Sequence, residues 1–265
     1  MRLALGFALT LLLAVAASAQ QNSKGIQDNS FLIEEAYNQD RGVVQHISEF
    51  QRLRYGGWIF TFTQEWPAPS IKHQLSVTLP VASVVGQTGL GDIAVNYRYQ
   101  LVGDGDARVA MAPRLSVLFP SGDVRNQLGV GGVSLQVNIP VSVVLNPKLV
   151  THWNAGATFT PSARNAAEVK GSETDFNLGQ SFIWLARQRF NVMMETIFNR
   201  YESIESPTLK SHANTLFLNP GVRWAYNFHS GLQIVPGICF PTGVGPSSGN
   251  RSFLVYLSFE HPFHR

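Results

Sequence analysis

Residues 133–143 (VSLQVNIPVSV) carry an apolar side chain at every odd position. A β-strand turns successive side chains to opposite faces, so this stretch has one apolar face and one largely polar face. An α-helix would scatter the same residues around its surface. Residues 71–79 and 91–101 alternate in the same way. The pattern predicts a sheet that separates an apolar environment from a polar one.

About twelve such segments follow one another along the chain. Most are close to the roughly 9–11 residues with which a tilted strand crosses a lipid bilayer. The predicted spans are 43–53, 57–66, 71–79, 91–101, 108–119, 131–145, 149–160, 175–185, 190–199, 214–226, 231–240 and 251–260.

The links between these segments alternate between short and long. Short links are predicted at 67–70, 103–106, 146–148, 186–188 and 227–230, and long polar links at 80–90, 120–130, 161–174, 200–213 and 241–250. Only the first outer link, near residues 54–56, is short where a long one is expected. Short periplasmic turns and longer extracellular loops are typical of an antiparallel, up-and-down outer-membrane barrel with an even number of strands. An even number places both termini on the short-turn side.

Aromatic residues mark both ends of the predicted strands. Trp66, Tyr99, Trp184, Trp224 and Tyr226 lie at the short-turn ends, whereas Phe119, Phe159, Phe198 and Phe240 lie at the long-loop ends. Two aromatic belts are expected where a barrel meets the two membrane interfaces. A β-sandwich is the alternative, because its core strands also alternate and bury aromatic side chains. A sandwich does not require its loops to alternate in length with the strands.

Composition narrows the classes further. Charged residues make up 14% of the 265 residues, hydrophobic residues make up 45%, and the mean hydropathy is +0.02. The low charge and high hydrophobic content exclude a disordered chain. The near-zero mean hydropathy, and the absence of a long apolar run after the N-terminus, exclude a helical membrane protein. The single cysteine, Cys239, excludes an internal disulfide and is expected to be buried. We find no zinc-binding spacing, no cofactor motif and no basic stripe for nucleic acid.

The N-terminus has the organisation of a secretory signal peptide. Arg2 precedes an apolar run over residues 3–16, and residues 17–19 form an A-x-A cleavage site. The prediction is a signal peptide over residues 1–19 and a barrel over residues 43–265. An N-terminal membrane anchor is the alternative, although the apolar run is short for one. Residues 20–42 lie between the signal peptide and the barrel. They are predicted to be either a periplasmic lead or a plug segment that enters the barrel.

The polar faces of the strands should line the lumen. The charged residues expected there are Lys72, Asp92, Arg98, Arg114, Glu195 and Arg223. They would form either a charged constriction that selects solutes or a network of ion pairs that holds the barrel in shape. Arginine outnumbers acid in this set, so selectivity is expected to favour anionic or polarisable solutes.

An enzyme is the less favoured class. His46 and Ser48 share one strand face and could act as base and nucleophile, but no acid is matched to them. The G-x-S-x-G and H-E-x-x-H motifs are absent from the sequence. A lipid hydrolase is therefore kept only as an alternative.

Short motifs recur at the outer ends of the strands. They are 79–80 (LP), 119–123 (FPSGD), 240–243 (FPTG), and 88–92 (TGLGD) running into 96–99 (NYRY). With these motifs the chain resembles the outer-membrane family named for the MetA pathway of phenol degradation. The resemblance implies a barrel that helps small aromatic or hydrophobic compounds across the membrane. It supplies no catalytic or binding residues.

Taken together, the sequence predicts an exported, monomeric outer-membrane barrel of about twelve strands in a bacterium. Its expected partners are membrane lipid and a small-molecule solute, its expected role is passive transport, and no cofactor is expected. A structural or surface-interaction barrel with a plugged lumen is the alternative function.

Overall fold

The computed structural model describes Ile26, residues 30–84 and residues 86–263. The predicted signal peptide lies outside these residues. Sixteen strand segments form one antiparallel sheet. Their bounds are β1 Val43–Leu53, β2 Trp58–Pro67, β3 His73–Val84, β4 Gln87–Leu90, β5 Ile93–Tyr99, β6 Val109–Met111, β7 Arg114–Phe119, β8 Ser134–Asn146, β9 Leu149–Arg164, β10 Lys170–Arg187, β11 Phe190–Ser206, β12 Leu209–Trp224, β13 Tyr226–Asn227, β14 Gln233–Cys239, β15 Thr242–Gly243 and β16 Ser252–Pro262.

The sheet closes on itself into a barrel of twelve strands, several of which are built from two segments. Closure occurs where β1 pairs antiparallel with β16, in unbroken register from Val43 opposite Pro262 to Leu53 opposite Ser252. Both ends of the barrel sequence therefore lie at the same rim, as an even strand number requires. The predicted all-β barrel with about twelve strands is confirmed.

Alternation sorts the side chains as the sequence predicts. On β8, Leu135, Val137 and Ile139 point outward and are exposed, whereas Ser134 and Asn138 point inward and are buried. A barrel in lipid needs this arrangement because its outer surface faces hydrocarbon and its interior faces water or protein.

Three of the predicted long loops are instead extensions of the strands. The β9–β10 pair continues to Arg164 opposite Lys170, and the β11–β12 pair continues to Ser206 opposite Leu209. A third hairpin joins β3 to β4. In the extended parts of the β9–β10 and β11–β12 pairs, polar residues occur on both faces and the alternation is lost. The backbone ladder does not require an apolar face, and it continues past the point where the sequence signal stops.

The longest irregular outer loop, 120–133, carries a single turn of 3-10 helix at Val124–Asn126. Asp92, at the outer end of β5, accepts hydrogen bonds from the amides of Gly122 and Val130, both 2.9 Å long. One carboxylate thereby holds both ends of this loop against the barrel.

The part of the chain that the structure describes contains no helix with the length and apolarity of a membrane span.

Candidate functional site

A stretch of chain before β1 lies inside the barrel. Residues 30–39, here called the lumenal segment, bond through their backbone amides to side chains of the wall rather than to a strand. The donor–acceptor pairs are Phe31 and Leu32 to Glu195, Glu34 to Asn154, Ala36 to Ser142, Asn38 to Gln100, and Gln39 to Gln74. Inward-facing side chains from several strands therefore set the position of this segment.

One side of the lumen is apolar. Inward-facing Ile183, Met193, Val235, Cys239, Leu254 and Tyr256, from β10, β11, β14 and β16, form a buried cluster with Phe31 of the lumenal segment. We call this wall the apolar sector. The ring of Phe31 meets the ring of Tyr256 edge to face, with centroids 6.1 Å apart.

Glycines in the wall make room for the lumenal segment. A Cβ atom at Gly221 or Gly237 would lie 2.4 Å or 2.7 Å from the ring of Phe31. A Cβ at Gly179 would lie 2.2 Å from the side chain of Ile33. Glycine within a strand often marks the close approach of another part of the chain. Here the two apolar side chains of the lumenal segment occupy the spaces that these glycines leave.

Two of the predicted charged residues belong to the apolar sector. Glu195 is fully buried, and its carboxylate accepts hydrogen bonds from the Phe31 amide at 2.8 Å and from the Asn219 side chain. The Arg223 guanidinium lies over the ring of Tyr256, 5.7 Å from its centroid. Glu195 thus holds the lumenal segment against the wall, whereas the described contact of Arg223 is with another residue of the wall.

The opposite side of the lumen, formed by β2, β3, β5 and β7 to β9, presents amide and hydroxyl side chains. We call it the polar sector. Its buried members include Gln74, Ser76, Asn96, Ser116, Ser134, Asn138, Asn154 and Thr160. Many of these bond to each other, for example Asn96 to Ser76 at 3.0 Å and Ser134 to Thr160 at 2.6 Å.

Arg98 and Arg114 join the polar sector to the lumenal segment. The buried Arg98 guanidinium pairs with the Glu35 carboxylate at 3.3 Å and also donates to the Tyr37 carbonyl and to Asn38. Arg114 pairs with Glu34 at 2.8 Å. Both acidic partners come from the lumenal segment and not from another strand.

Three cavities lie along the polar sector, and the outer and middle ones are also bounded by residues of β10 and β11 and by Ile47 and Tyr256. An outer cavity of about 390 Å³ and a middle cavity of about 210 Å³ share the Glu34 and Arg114 side chains in their linings. A third cavity, of about 510 Å³, opens at the short-turn rim and is lined by Asn38, Gln39 and Gln100 among others. Arg98 and its partners in the lumenal segment lie between the middle cavity and this mouth.

The six predicted residues therefore occupy different places. Arg98 and Arg114 line the middle of the lumen, and Glu195 and Arg223 anchor the apolar sector. Asp92 lines the outer cavity while it holds the 120–133 loop. Lys72 precedes β3 and is exposed at the short-turn mouth, so it does not lie on the barrel wall.

Sequence reasoning missed the carboxylates that balance these arginines. Glu49 and Glu65 also line the middle cavity, where Glu49 accepts a hydrogen bond from Thr61 and Glu65 accepts one from Gln74. With Glu34 included, the middle cavity has three acids in its lining against Arg98 and Arg114. Arginine is thus not in excess there, contrary to the balance expected from the six residues. Glu49 and Glu65 share the inward parity of β1 and β2 and could have been found from it.

His46 and Ser48 point away from the lumen. Ile47 between them is buried and lines the middle cavity. His46 lies with its Nε2 3.2 Å from Nε2 of His261 and stacks against Phe62. Its ring therefore contacts a second histidine, and no carboxylate orients it among its described contacts.

Comparison with protein-family models and with curated proteins finds no match. Solved structures do resemble the chain. A COG4313 outer-membrane channel from Pseudomonas putida F1 aligns with a TM-score of 0.61 at 10% identity, over 85% of this chain and 97% of that one. The NanC porin aligns with a TM-score of 0.54 at 9% identity, over 82% of this chain and 98% of that one. The KdgM porin aligns with a TM-score of 0.51 at 9% identity, over 83% and 99%.

Identities this low show the fold alone. The fold is that of the porin-like outer-membrane β-barrels. Membership of the MetA-pathway family stays a prediction.

Proposed function

We propose that this protein is a passive channel of the bacterial outer membrane, and that the lumenal segment forms its constriction. The observation that carries the proposal is the row of three cavities along the polar sector. Two contacts interrupt the row, and in each an arginine of the wall meets a glutamate of the lumenal segment. Displacement of this segment would join the cavities into one path.

The cavity linings favour small solutes with polar groups. Amide and hydroxyl side chains can replace the water around such a solute as it passes. The aromatic solute implied by the family resemblance is part of this proposal, since a small aromatic ring with a polar substituent suits the same lining. Because carboxylates outnumber arginines around the middle cavity, we expect cations to be favoured over anions.

Single-channel conductance in planar bilayers tests the proposal. Wild type should conduct weakly, and a variant that lacks residues 20–39 should conduct several times more. Arg98→Met should also raise the conductance, because it removes the contact with Glu35. Arg125→Met, in the exposed outer loop, is the matched control and should leave it unchanged. Equal conductance in wild type and the deletion variant would contradict a constriction at this place.

A barrel without transport activity is the second candidate function. The observation that favours it is the number of bonds that Arg98 makes to the lumenal segment, to Glu35, Tyr37 and Asn38. Such a barrel would serve as a structural or surface-interaction protein. It would show no conductance and no solute uptake in either wild type or Arg98→Met, although both variants migrate as folded barrels on a heat-modifiability gel.

A further inference from the structure

The outer wall of the barrel carries an apolar groove that the proposed channel does not use. It has a volume of about 470 Å³ and is lined by outward-facing residues of β9 to β12 and β14. The strand register brings five of them into one row, since Trp184 lies opposite both Leu149 and Val192, Val192 opposite Val222, and Val222 opposite Ile238.

A second row of side chains forms the other edge of the groove. Phe182 lies opposite Met194, and Met194 lies opposite Pro220. The short ring of Pro220 stands between bulky neighbours, and Phe240 closes the row because its amide bonds to the Pro220 carbonyl at 3.0 Å. The groove is therefore a depression in the lipid-facing wall whose apolar lining can receive a hydrocarbon chain.

Cations lie where the groove approaches the short-turn rim. Lys148 immediately precedes Leu149, Arg187 follows Trp184 by three residues, and Arg189 precedes Val192 by three. Three residues of strand span roughly 10 Å, a distance that a long basic side chain covers in large part. Lys148 and Arg187 are exposed.

Backbone bonds hold these turns next to one another along the rim. The Leu185 amide donates to the Lys148 carbonyl at 2.9 Å, and the Ala225 amide donates to the Arg189 carbonyl at 3.1 Å. Residues 145–149, 185–190 and 225–232 contain no Asp or Glu. The turn at residues 103–106 carries Asp104 and Asp106 instead. Positive charge at this rim is thus concentrated below the groove.

We propose that this surface is a binding site for one anionic phospholipid. An acyl chain lies in the groove, and the phosphate of the head group bonds to Lys148 and Arg187, with Arg189 adding positive charge. Trp184 lies between the two parts, at the depth where indole rings settle in membranes. Charge complementarity selects an anionic head group over a zwitterionic one, as basic pockets on membrane proteins do.

Native mass spectrometry of the purified full-length barrel tests the site. The protein is exchanged into detergent with either palmitoyl-oleoyl phosphatidylglycerol or the phosphatidylcholine of the same chains. Wild type should retain one phosphatidylglycerol in preference to phosphatidylcholine. Lys148→Gln with Arg187→Gln should weaken retention about fivefold for each cation removed.

Two further variants separate the parts of the site. Val222→Trp fills the groove and should abolish the retained lipid while leaving all the cations in place. Arg41→Gln with Lys72→Gln removes two exposed cations from other parts of the same rim and should retain the lipid as wild type does. A heat-modifiability gel confirms that each variant is folded. Equal retention of the two lipids by wild type, or equal loss in the control and the Lys148/Arg187 variant, would overturn the proposal.

Discussion

The apolar and polar sides of the lumen contact the ten residues of the lumenal segment in different ways. Against the apolar sector, Phe31 and Ile33 fill the spaces above glycines, and Glu195 holds the adjoining amides. Against the polar sector, the segment touches the wall mainly through Glu34, Glu35 and the backbone, and three cavities remain.

The difference shows how a barrel can hold an internal segment and keep space for a solute. Close packing without voids provides stability, since each lost contact is costly. Polar groups that bond to one another tolerate gaps, because water can occupy them. The apolar sector therefore supplies the close packing around Phe31 and Ile33, and the polar sector leaves the space that the proposed channel uses. Cys239 is a free cysteine buried in the apolar sector. The rate at which maleimide labels it therefore measures how firmly the lumenal segment is packed there.

The largest effect should come from Phe31→Ala. Truncation of a buried phenylalanine costs about 3–5 kcal/mol. Since roughly 1.4 kcal/mol corresponds to a tenfold change in an equilibrium, maleimide should label Cys239 at least about 100-fold faster. Leu32→Ala is the matched control, because this neighbouring side chain is 40% exposed and should change the labelling little. Equal acceleration by both variants would show that Phe31 is not the anchor.

A smaller effect is expected from Glu195→Gln. The variant keeps the shape of the side chain but removes the charge that strengthens its bonds to Phe31 and Leu32. A hydrogen bond to a charged group contributes about 1.5–3 kcal/mol and one to a neutral group about 0.5–1.5 kcal/mol, so the loss is about 1–1.5 kcal/mol and Cys239 labelling should rise by roughly 5- to 10-fold. Glu168→Gln, in an exposed outer turn, serves as the control. Labelling at the wild-type rate would place the anchoring energy entirely in the apolar contacts.

Thr78→Val tests the polar sector. The Thr78 hydroxyl lies 3.0 Å from that of Thr63 and lines the middle cavity. Loss of this bond should change the free energy of unfolding by only about 1 kcal/mol and leave Cys239 labelling unchanged. The conductance should fall, because a methyl group replaces a group that solvates the path. A change in labelling as large as that of Glu195→Gln would show that the two sectors are not independent.

The smallest effect is expected outside the lumen, in the extended β11–β12 hairpin. The Lys210 ammonium bonds to the Glu202 carboxylate at 3.0 Å and lowers the pKa of that carboxyl below its ordinary value. A lowered pKa means that the stabilisation is present above the unfolded-state pKa and is lost as the pH falls through the folded-state pKa. Carboxyl-carbon NMR in micelles should show the Glu202 pKa rising in Lys210→Met, with Cys239 labelling unaffected. An unchanged pKa would show that the pair does not form in solution.

The strands could be predicted because lipid and lumen impose opposite chemistry on alternate residues. On β8 the rule assigns most residues correctly, and its exceptions are Pro140 and Val144, which are apolar but lie on the inward face. The alternation is not required where a strand extends beyond the membrane. The strand extensions to Arg164 and Ser206 are therefore predicted as loops.

Of the candidate site, only the residues on the strands could be predicted, because only they follow the alternation of inward and outward side chains. Parity placed Arg98, Arg114, Glu195 and Arg223 on the inner face. The lumenal segment supplies the partners of Arg98, Arg114 and Glu195. The position of this segment inside the barrel cannot be predicted from the periodicity of the sequence. The roles of Glu34 and Glu35 depend on contacts with residues more than 60 positions away, and the glycines at 221 and 237 matter only because Phe31 approaches them.

The closing seam has a consequence for the order in which the molecule is assembled. Three residues separate the lumenal segment from β1, yet the partner of β1 is β16, the last strand of the chain. Contacts so distant in sequence form late, because a long loop must be closed before they are made. When the seam closes, the C-terminal end of the lumenal segment is tied to a complete ring through residues 40–42. Because Phe31 packs on β12 and β14 and Ile33 packs on β10, the segment links the closing strand to these three strands across the lumen by side-chain contacts, in addition to the backbone ladder of the wall.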